Sequence, residues 1–385
     1  MQKLIMTPGP TNVSSEVMHA MLHPIINHRS PAFAAAMEGL MIKAKNIFQT
    51  NGEVVVLTSS GTGAVEASIT NILRDGDSVL VTAFGEFGER LAEQIQDVGA
   101  KVIRIESEYG NTPTIDDVRR AFEQNENLKA LYVVSNETST GASIRWLKEA
   151  GDLASNAGAF FVVDAISNFG GDSMPVDEYK IDICCAGSQK CLASPPGLSM
   201  LSISEKARKF IVDNPPKRHY LNLQRYFKYA EKNETPFTPA LPLYFALDRS
   251  LEIILAEGID RVIERHAICA NAFYSGLGEM GLNMFAKPEV RSNTVIAMNY
   301  PEGIDDKEFR ARLDANYGVI LAGGFGRYLG KLFRIGSMGT VGRYHVIVTL
   351  TAIGMTLKKM GFEANLDDAL SLSSSILSKL STSAR

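Results

Sequence analysis

Seven short runs of apolar, largely β-branched residues recur up to residue 203: Val54–Leu57, Ser78–Thr82, Val102–Ile105, Ala130–Ser135, Phe160–Val163, Ile181–Cys185 and Ser199–Ile203. A strand with one wet face alternates polar and apolar side chains, whereas these runs are apolar nearly throughout, so both of their faces must be covered. Amphipathic stretches at Glu89–Val98, Ile115–Phe122 and Trp146–Ala157 fall between them and supply the cover. The pattern predicts an α/β fold, a mostly parallel sheet sandwiched by helices. Ahead of the first strand, Ser30 and Pro31 open a helix whose apolar residues from Phe33 to Phe48 share one face. The small-residue loop Thr58–Gly63 leads into another helix through Val65, Ile69 and Ile72.

The rhythm changes after residue 205. Residues 213–242 are rich in Pro, Asn, Lys and aromatics with little periodicity, and are expected to form an irregular connection. Helical stretches at Leu243–Ala256 and Ile259–Leu277 follow, then strands at Thr294–Met298 and near Val319 and Leu332, and helices at Asp306–Tyr317, Tyr344–Lys359 and Leu366–Leu380. A chain of 385 residues accommodates two domains. The expected division is an N-terminal arm (1–15), a large α/β domain (16–258) and a smaller C-terminal α+β domain (259–385).

Composition narrows the function classes. Hydrophobic residues at 45% and a net charge of -4 fit a globular chain with no general attraction to polyanions, so neither nucleic acid nor membrane is an expected partner. No apolar run is long enough for a signal peptide or a membrane span, and the four cysteines lack zinc-site or disulfide spacing, which points to a soluble cytoplasmic protein with reduced thiols. His19 and His23 share a helix face but lack the glutamate of a zinc-protease motif, and no metal is expected.

In an open parallel sheet, ligands sit beyond the carboxyl ends of the strands. Three places there carry chemistry. Ser59-Ser60-Gly61-Thr62-Gly63 joins a strand to a helix, where N–H groups, hydroxyls and the positive helix end suit a phosphate. Asp164 ends a buried strand, where a carboxylate needs a cation or donors. Lys190 follows Gly187-Ser188-Gln189 amid small and apolar residues, where desolvation favours the neutral amine that forms a Schiff base. A phosphate cup, an anion and such a lysine are the parts that pyridoxal phosphate requires.

In this order, and with Phe333-Arg334-Ile335-Gly336 near the end, the chain resembles the class V aminotransferases of the fold-type I pyridoxal-phosphate superfamily, nearest the serine–pyruvate, alanine–glyoxylate and serine–glyoxylate group. Thr7-Pro8-Gly9-Pro10-Thr11-Asn12, Asn27-His28-Arg29-Ser30-Pro31, Glu137-Thr138-Ser139-Thr140-Gly141 and Thr235-Pro236-Phe237-Thr238-Pro239 extend the resemblance from residue 6 to about residue 340. It implies that Lys190 holds the cofactor and shuttles the proton, while Asp164 keeps the pyridine nitrogen protonated. Phe87 would stack on the ring and Ile166 would touch the cofactor. Ser60, Gly61, Thr62 and Gln189 would bind the phosphate, joined by Thr235 and Thr238 from the neighbouring subunit of a homodimer with shared active sites. Ser139 would sit beside the ring and the substrate carboxylate, Arg334 would grip that carboxylate, and Asn27 and His28 would face the substrate. The implied reaction moves the amine of L-serine or L-alanine to pyruvate or glyoxylate. A 2-aminoethylphosphonate or ureidoglycine aminotransferase, a cysteine desulfurase or lyase, a non-catalytic subunit and a nicotinamide enzyme are the competing expectations.

Overall fold

The structure, a computed structural model, describes residues 3–380. All seven expected strands form one sheet, in the order Glu53–Leu57, Ser199–Ile203, Ile183–Gly187, Phe160–Asp164, Leu128–Val134, Ser78–Ala83 and Lys101–Glu106. Ser199–Ile203 is antiparallel to both of its neighbours, and the other strands run parallel to one another. A parallel crossover needs about a dozen residues or more, usually a helix. The connection Ser188–Leu198 is too short for that and turns back instead. This reversal puts Lys190 in a tight return loop at the carboxyl end of Ile183–Gly187.

Two buried clusters cover the sheet. One joins the helix Pro31–Phe48 to strand residues such as Leu131, Val133, Phe161 and Cys184; the other joins the helix Gly61–Ile72 to Val79, Tyr132, Val162 and Cys185. Consecutive strand residues thus face opposite clusters, which is why the runs contain no polar alternation. The helix Pro31–Phe48 starts as its sequence predicts, with the Phe33 amide donating to Ser30 Oγ at 3.3 Å.

The change of pattern expected after residue 205 is only partly right. Two helices, Glu205–Asp213 and Leu223–Ala230, lie where the sequence suggested irregular chain or the end of the regular region. Each buries only two or three side chains, Ala207 and Ile211 in the first and Leu223, Tyr226 and Phe227 in the second, too few to stand out among so many Lys, Arg and aromatic neighbours. The strand expected from Ile181 begins at Ile183 because Asp182 is a bracket rather than a sheet residue. Its carboxylate accepts from the Phe161 amide (3.0 Å), Ser204 Oγ (2.6 Å) and Lys206 Nζ (3.0 Å). It ties three strands at their far end, which fixes where Asp164 and Lys190 emerge at the near end.

A separate cluster forms around an antiparallel sheet of Val295–Asn299, Leu332–Gly336 and Ala322–Gly323, with Leu332–Gly336 in the middle. The helices Ile259–Glu279, Asp306–Tyr317, Arg343–Lys359 and Leu366–Leu377 pack on it. The N-terminal segment runs between this cluster and the large sheet. Leu4–Ile5 pairs parallel with Val319–Ile320, and the Gly336 amide donates to the Met6 carbonyl at 2.7 Å. The chain then reaches Lys190, where Gly9 has φ +87° and a Cβ would stand 2.4 Å from Lys190 Cδ. Glycine is required there both by conformation and by space.

Asp182 generates a test of this arrangement. Asp182→Ala leaves the buried Phe161 amide without its acceptor and removes charge-assisted bonds, so unfolding free energy should fall by about 3 kcal/mol. Lys206 is largely solvated and adds little to that figure. Urea denaturation should show a lower midpoint with an unchanged slope.

Candidate active site

A cleft opens at the carboxyl ends of the strands and is lined by Ser60, Gly61, Thr62, Phe87, Asp164, Ile166, Gln189 and Lys190, among others. Sequence reasoning had singled out each of these eight. Lys190 is held by a knot in its own loop: Ser188 Oγ donates to the Pro195 carbonyl at 2.7 Å and accepts from the Leu198 amide at 3.3 Å. The N-terminal segment closes over it from outside. Lys190 Nζ donates to the Pro8 carbonyl, and Thr11 Oγ1 donates to the Lys190 carbonyl at 3.2 Å. Burial pulls the Lys190 amine down to about 8; Arg334 and Arg90 push the same way, against Cys191 and Asp164.

Asp164 faces this amine across the cleft with one carboxylate oxygen, Oδ1, accepting from the Ile166 amide at 3.0 Å. Its other oxygen has no hydrogen-bond partner among the described residues. Desolvation by the surrounding walls raises its pKa, while the Ile166 amide, Arg90 and Lys190 favour the anion. The group is poised to receive a donor or a cation.

The helix Gly61–Ile72 presents its N-terminus to the same space. Ser60 is its N-cap, yet the Ser60 side chain makes no capping bond, and no acidic residue sits in the first turn. The first N–H groups therefore remain open to an anion, with the helix dipole behind them. Opposite, the buried Gln189 Oε1 has no partner. Turning that amide over places its NH2 group there, a donor for the same anion. An open helix end, an orphaned amide, a half-satisfied carboxylate and a desolvated amine fit the chemistry of pyridoxal phosphate, whose phosphate the helix end would hold, whose ring nitrogen Asp164 would meet and whose aldehyde Lys190 would take.

Arg334 comes from the middle strand of the smaller sheet. It is 8% exposed, donating from Nε to the Gly323 carbonyl and from Nη1 to the Thr138 carbonyl, both at 2.9 Å. Among the described residues no carboxylate touches it. Burial lowers its pKa to about 10, and only Glu137 pulls it back up.

Glu137 is the residue whose role sequence reasoning missed. Its buried carboxylate accepts from the Ser139 amide (3.0 Å) and Ser139 Oγ (2.6 Å), and from the Phe87 and Gly88 amides (3.1 Å each). Those last two amides belong to the first turn of the helix Glu86–Gln96, whose N-cap is Gly85 and has no side chain to offer. Glu137 caps that helix from a distant segment, fixing Phe87 and Ser139 together. Burial raises its pKa, the surrounding donors opposing. The only sequence signal was a carboxylate among hydroxyl residues directly beyond the strand Leu128–Val134.

Asn27, His28, Thr235 and Thr238 were also expected at the site but do not line the cleft within one chain. Asn27 Oδ1 accepts from the Arg29 amide at 2.9 Å, and His28 is half-buried nearby. Thr235 is buried with Oγ1 donating to the Phe237 carbonyl at 2.7 Å, and Thr238 is exposed. Arg29 joins the two segments, donating to the Thr235 carbonyl (2.6 Å) and pairing with Glu234 (3.1 Å). All four cysteines are buried, and burial pushes the Cys191 thiol up to about 12, unlike the thiolate nucleophile of a desulfurase.

Residues 10–327 match the family model described as aminotransferase class-V. The chain is 42% identical, over 94% of its own length and 94% of the relative's, to an uncharacterized aminotransferase of Methanocaldococcus jannaschii. A serine–glyoxylate aminotransferase of Methylorubrum extorquens is 32% identical over 97% of this chain and 95% of that one. The crystal structure of ureidoglycine–glyoxylate aminotransferase from Bacillus subtilis matches with a TM-score of 0.94 at 30% identity, covering 98% of this chain and 99% of that one. The likeness spans both sheets and the segment that joins them, and the chain belongs to the class-V aminotransferases, enzymes that depend on pyridoxal phosphate.

Proposed function

We propose that this aminotransferase moves the amine of a small L-amino acid, L-serine or L-alanine, to pyruvate or glyoxylate, with both half-reactions at the Lys190 cleft. The observation that carries the reading is Arg334, a buried cation with no carboxylate in contact, sharing an environment with a lysine amine of pKa about 8. An amino acid and a 2-oxo acid present the same carboxylate, so one arginine serves both. The serine–glyoxylate and ureidoglycine–glyoxylate names of relatives support glyoxylate as acceptor.

Pyridoxal phosphate, when bound, supplies an aldehyde and a conjugated ring that withdraws electrons from the carbon bearing the amine. The remaining work belongs to the chain. Ser60, Gly61, Thr62 and Gln189 would bind the phosphate, Phe87 and Ile166 would hold the ring, and Asp164 would keep a proton at the ring nitrogen. With its pKa drawn down to about 8, a substantial minority of Lys190 Nζ, roughly one-fifth near pH 7.4, is neutral, so it would serve both as a nucleophile toward the aldehyde and as a base for the proton at the substrate α-carbon. Arg334 orients the substrate, its own fork held by the Gly323 and Thr138 carbonyls. Asn27, His28, Thr235 and Thr238 do not line this cleft; we assign them to the partner's site in a cytoplasmic homodimer, where the buried thiols stay reduced.

Three outcomes follow from these assignments. The rate at which apoenzyme takes up added pyridoxal phosphate, followed by its visible band, should rise with pH and reach half its plateau near pH 8, because only the unprotonated amine attacks. Arg334→Ala should raise KM for every carboxylate substrate by at least about 30-fold, corresponding to loss of a buried charge pair worth about 2 kcal/mol or more. An unchanged KM would remove Arg334 from the site. Incubation with L-serine, L-alanine, ureidoglycine or 2-aminoethylphosphonate and each 2-oxo acid, with the product amino acids identified, should show transfer from serine or alanine; transfer only from one of the other donors would overturn the substrate assignment.

A further inference from the structure

The segment Gly323–Gly330 connects the short strand Ala322–Gly323 to the strand that carries Arg334. Within it, Phe325 lies beside Phe87, a residue that lines the Lys190 cleft. The Phe325 ring stacks on Phe87, with centroids 6.0 Å apart and planes inclined by 29°. The Arg334 guanidinium carbon lies 5.9 Å from the Phe325 centroid. Phe325 thus spans the space between the ring assigned to the cofactor slot and the arginine assigned to the substrate carboxylate.

A phenylalanine that is 46% exposed on a glycine-flanked loop has little intrinsic reason to stay in such a place. The rest of the loop keeps it there. The Arg327 guanidinium sits 3.5 Å from the centroid of Tyr109, and Tyr328 meets Phe285 edge-on at 4.7 Å. Gly324 makes the turn possible, since a Cβ there would stand 1.9 Å from the Tyr328 carbonyl oxygen. The tip is fastened by aromatic and cation–π contacts rather than by strand pairing, and Phe325 is its member that reaches Phe87 and Arg334.

We propose that Phe325 determines substrate size: it is an apolar cap beside Arg334 that admits an amino acid with a short side chain and turns away longer ones. The proposal rests on the reading of Arg334 as the carboxylate grip and of Lys190 as the amine site. Once a substrate's carboxylate and amine are both anchored, its side chain is the one bulky group left to place. Chain length beyond the β-substituent has to displace the Phe325 ring and break its stack on Phe87. A hydrophobic wall of this kind discriminates by about 10- to 200-fold per methylene.

The test follows loss of the visible band when purified holoenzyme meets L-alanine, L-2-aminobutyrate, L-norvaline or L-leucine, in the wild type, Phe325→Ala and Phe325→Tyr. The wild type should react more slowly as the side chain lengthens, alanine fastest. In Phe325→Ala the norvaline-to-alanine ratio of kcat/KM should rise at least about 10-fold, and in Phe325→Tyr, which keeps the bulk, it should stay within a few-fold of the wild-type value. Cofactor content and the unbound visible spectrum report whether each variant remains folded. An unchanged ratio in Phe325→Ala, with both substrates altered alike or not at all, overturns the role of Phe325 and leaves the small-donor reading standing. A wild type that favours the longer amino acids overturns the small-donor reading, and with it this proposal.

Discussion

Withdrawal of the Lys190 amine from water is the constraint on which the rest of the site depends. An exposed lysine is almost wholly protonated at neutral pH and is neither nucleophile nor base. Here the amine is enclosed from two directions. The return loop between two sheet strands, knotted by Ser188, holds it from behind, and the N-terminal segment, pinned to the smaller sheet through Met6, lays Pro8 and Gly9 across it. The glycine at position 9 is therefore a feature of the active site although it touches no expected ligand.

Charge is handled in a related way. Arg334 is buried without a contacting carboxylate, and Glu137 is a buried carboxylate without a contacting guanidinium. They are chain neighbours in effect, linked through the Thr138 carbonyl, yet the Glu137 oxygens are already taken by amides and by Ser139 Oγ. The anion supports the cation from a distance and leaves free the guanidinium N–H groups that the Gly323 and Thr138 carbonyls do not take. Direct pairing of the two would give a satisfied but closed site. The chain's net charge of -4 is uninformative about any of this; the local arrangement is what matters.

Much of the frame was legible because it rests on local rules. Fully apolar runs predict buried strands, Ser30-Pro31 predicts a helix start, and polar residues just past strand ends predict Asp164 and Lys190 near one another. What was not legible depends on partners far apart in sequence. Asp182 looked like a strand residue because its three donors come from residues 161, 204 and 206. Glu137 caps a helix about fifty residues earlier, and no local pattern announces a cap supplied from a distance. Phe325 was hidden between Gly324 and Gly326, where no periodicity marks a side chain for a role. Asn27, His28, Thr235 and Thr238 are a different case: sequence resemblance grouped them with the site, while a single chain keeps them apart from it.

The central claim, that Lys190 and no other lysine is the amine that meets the cofactor, is most directly tested by borohydride reduction of the reconstituted enzyme followed by peptide mass mapping. The account predicts a pyridoxyl-phosphate mass increment on the peptide containing Lys190 and on no other. A stable adduct at another lysine, or no reducible adduct in an enzyme that binds the cofactor, would contradict it.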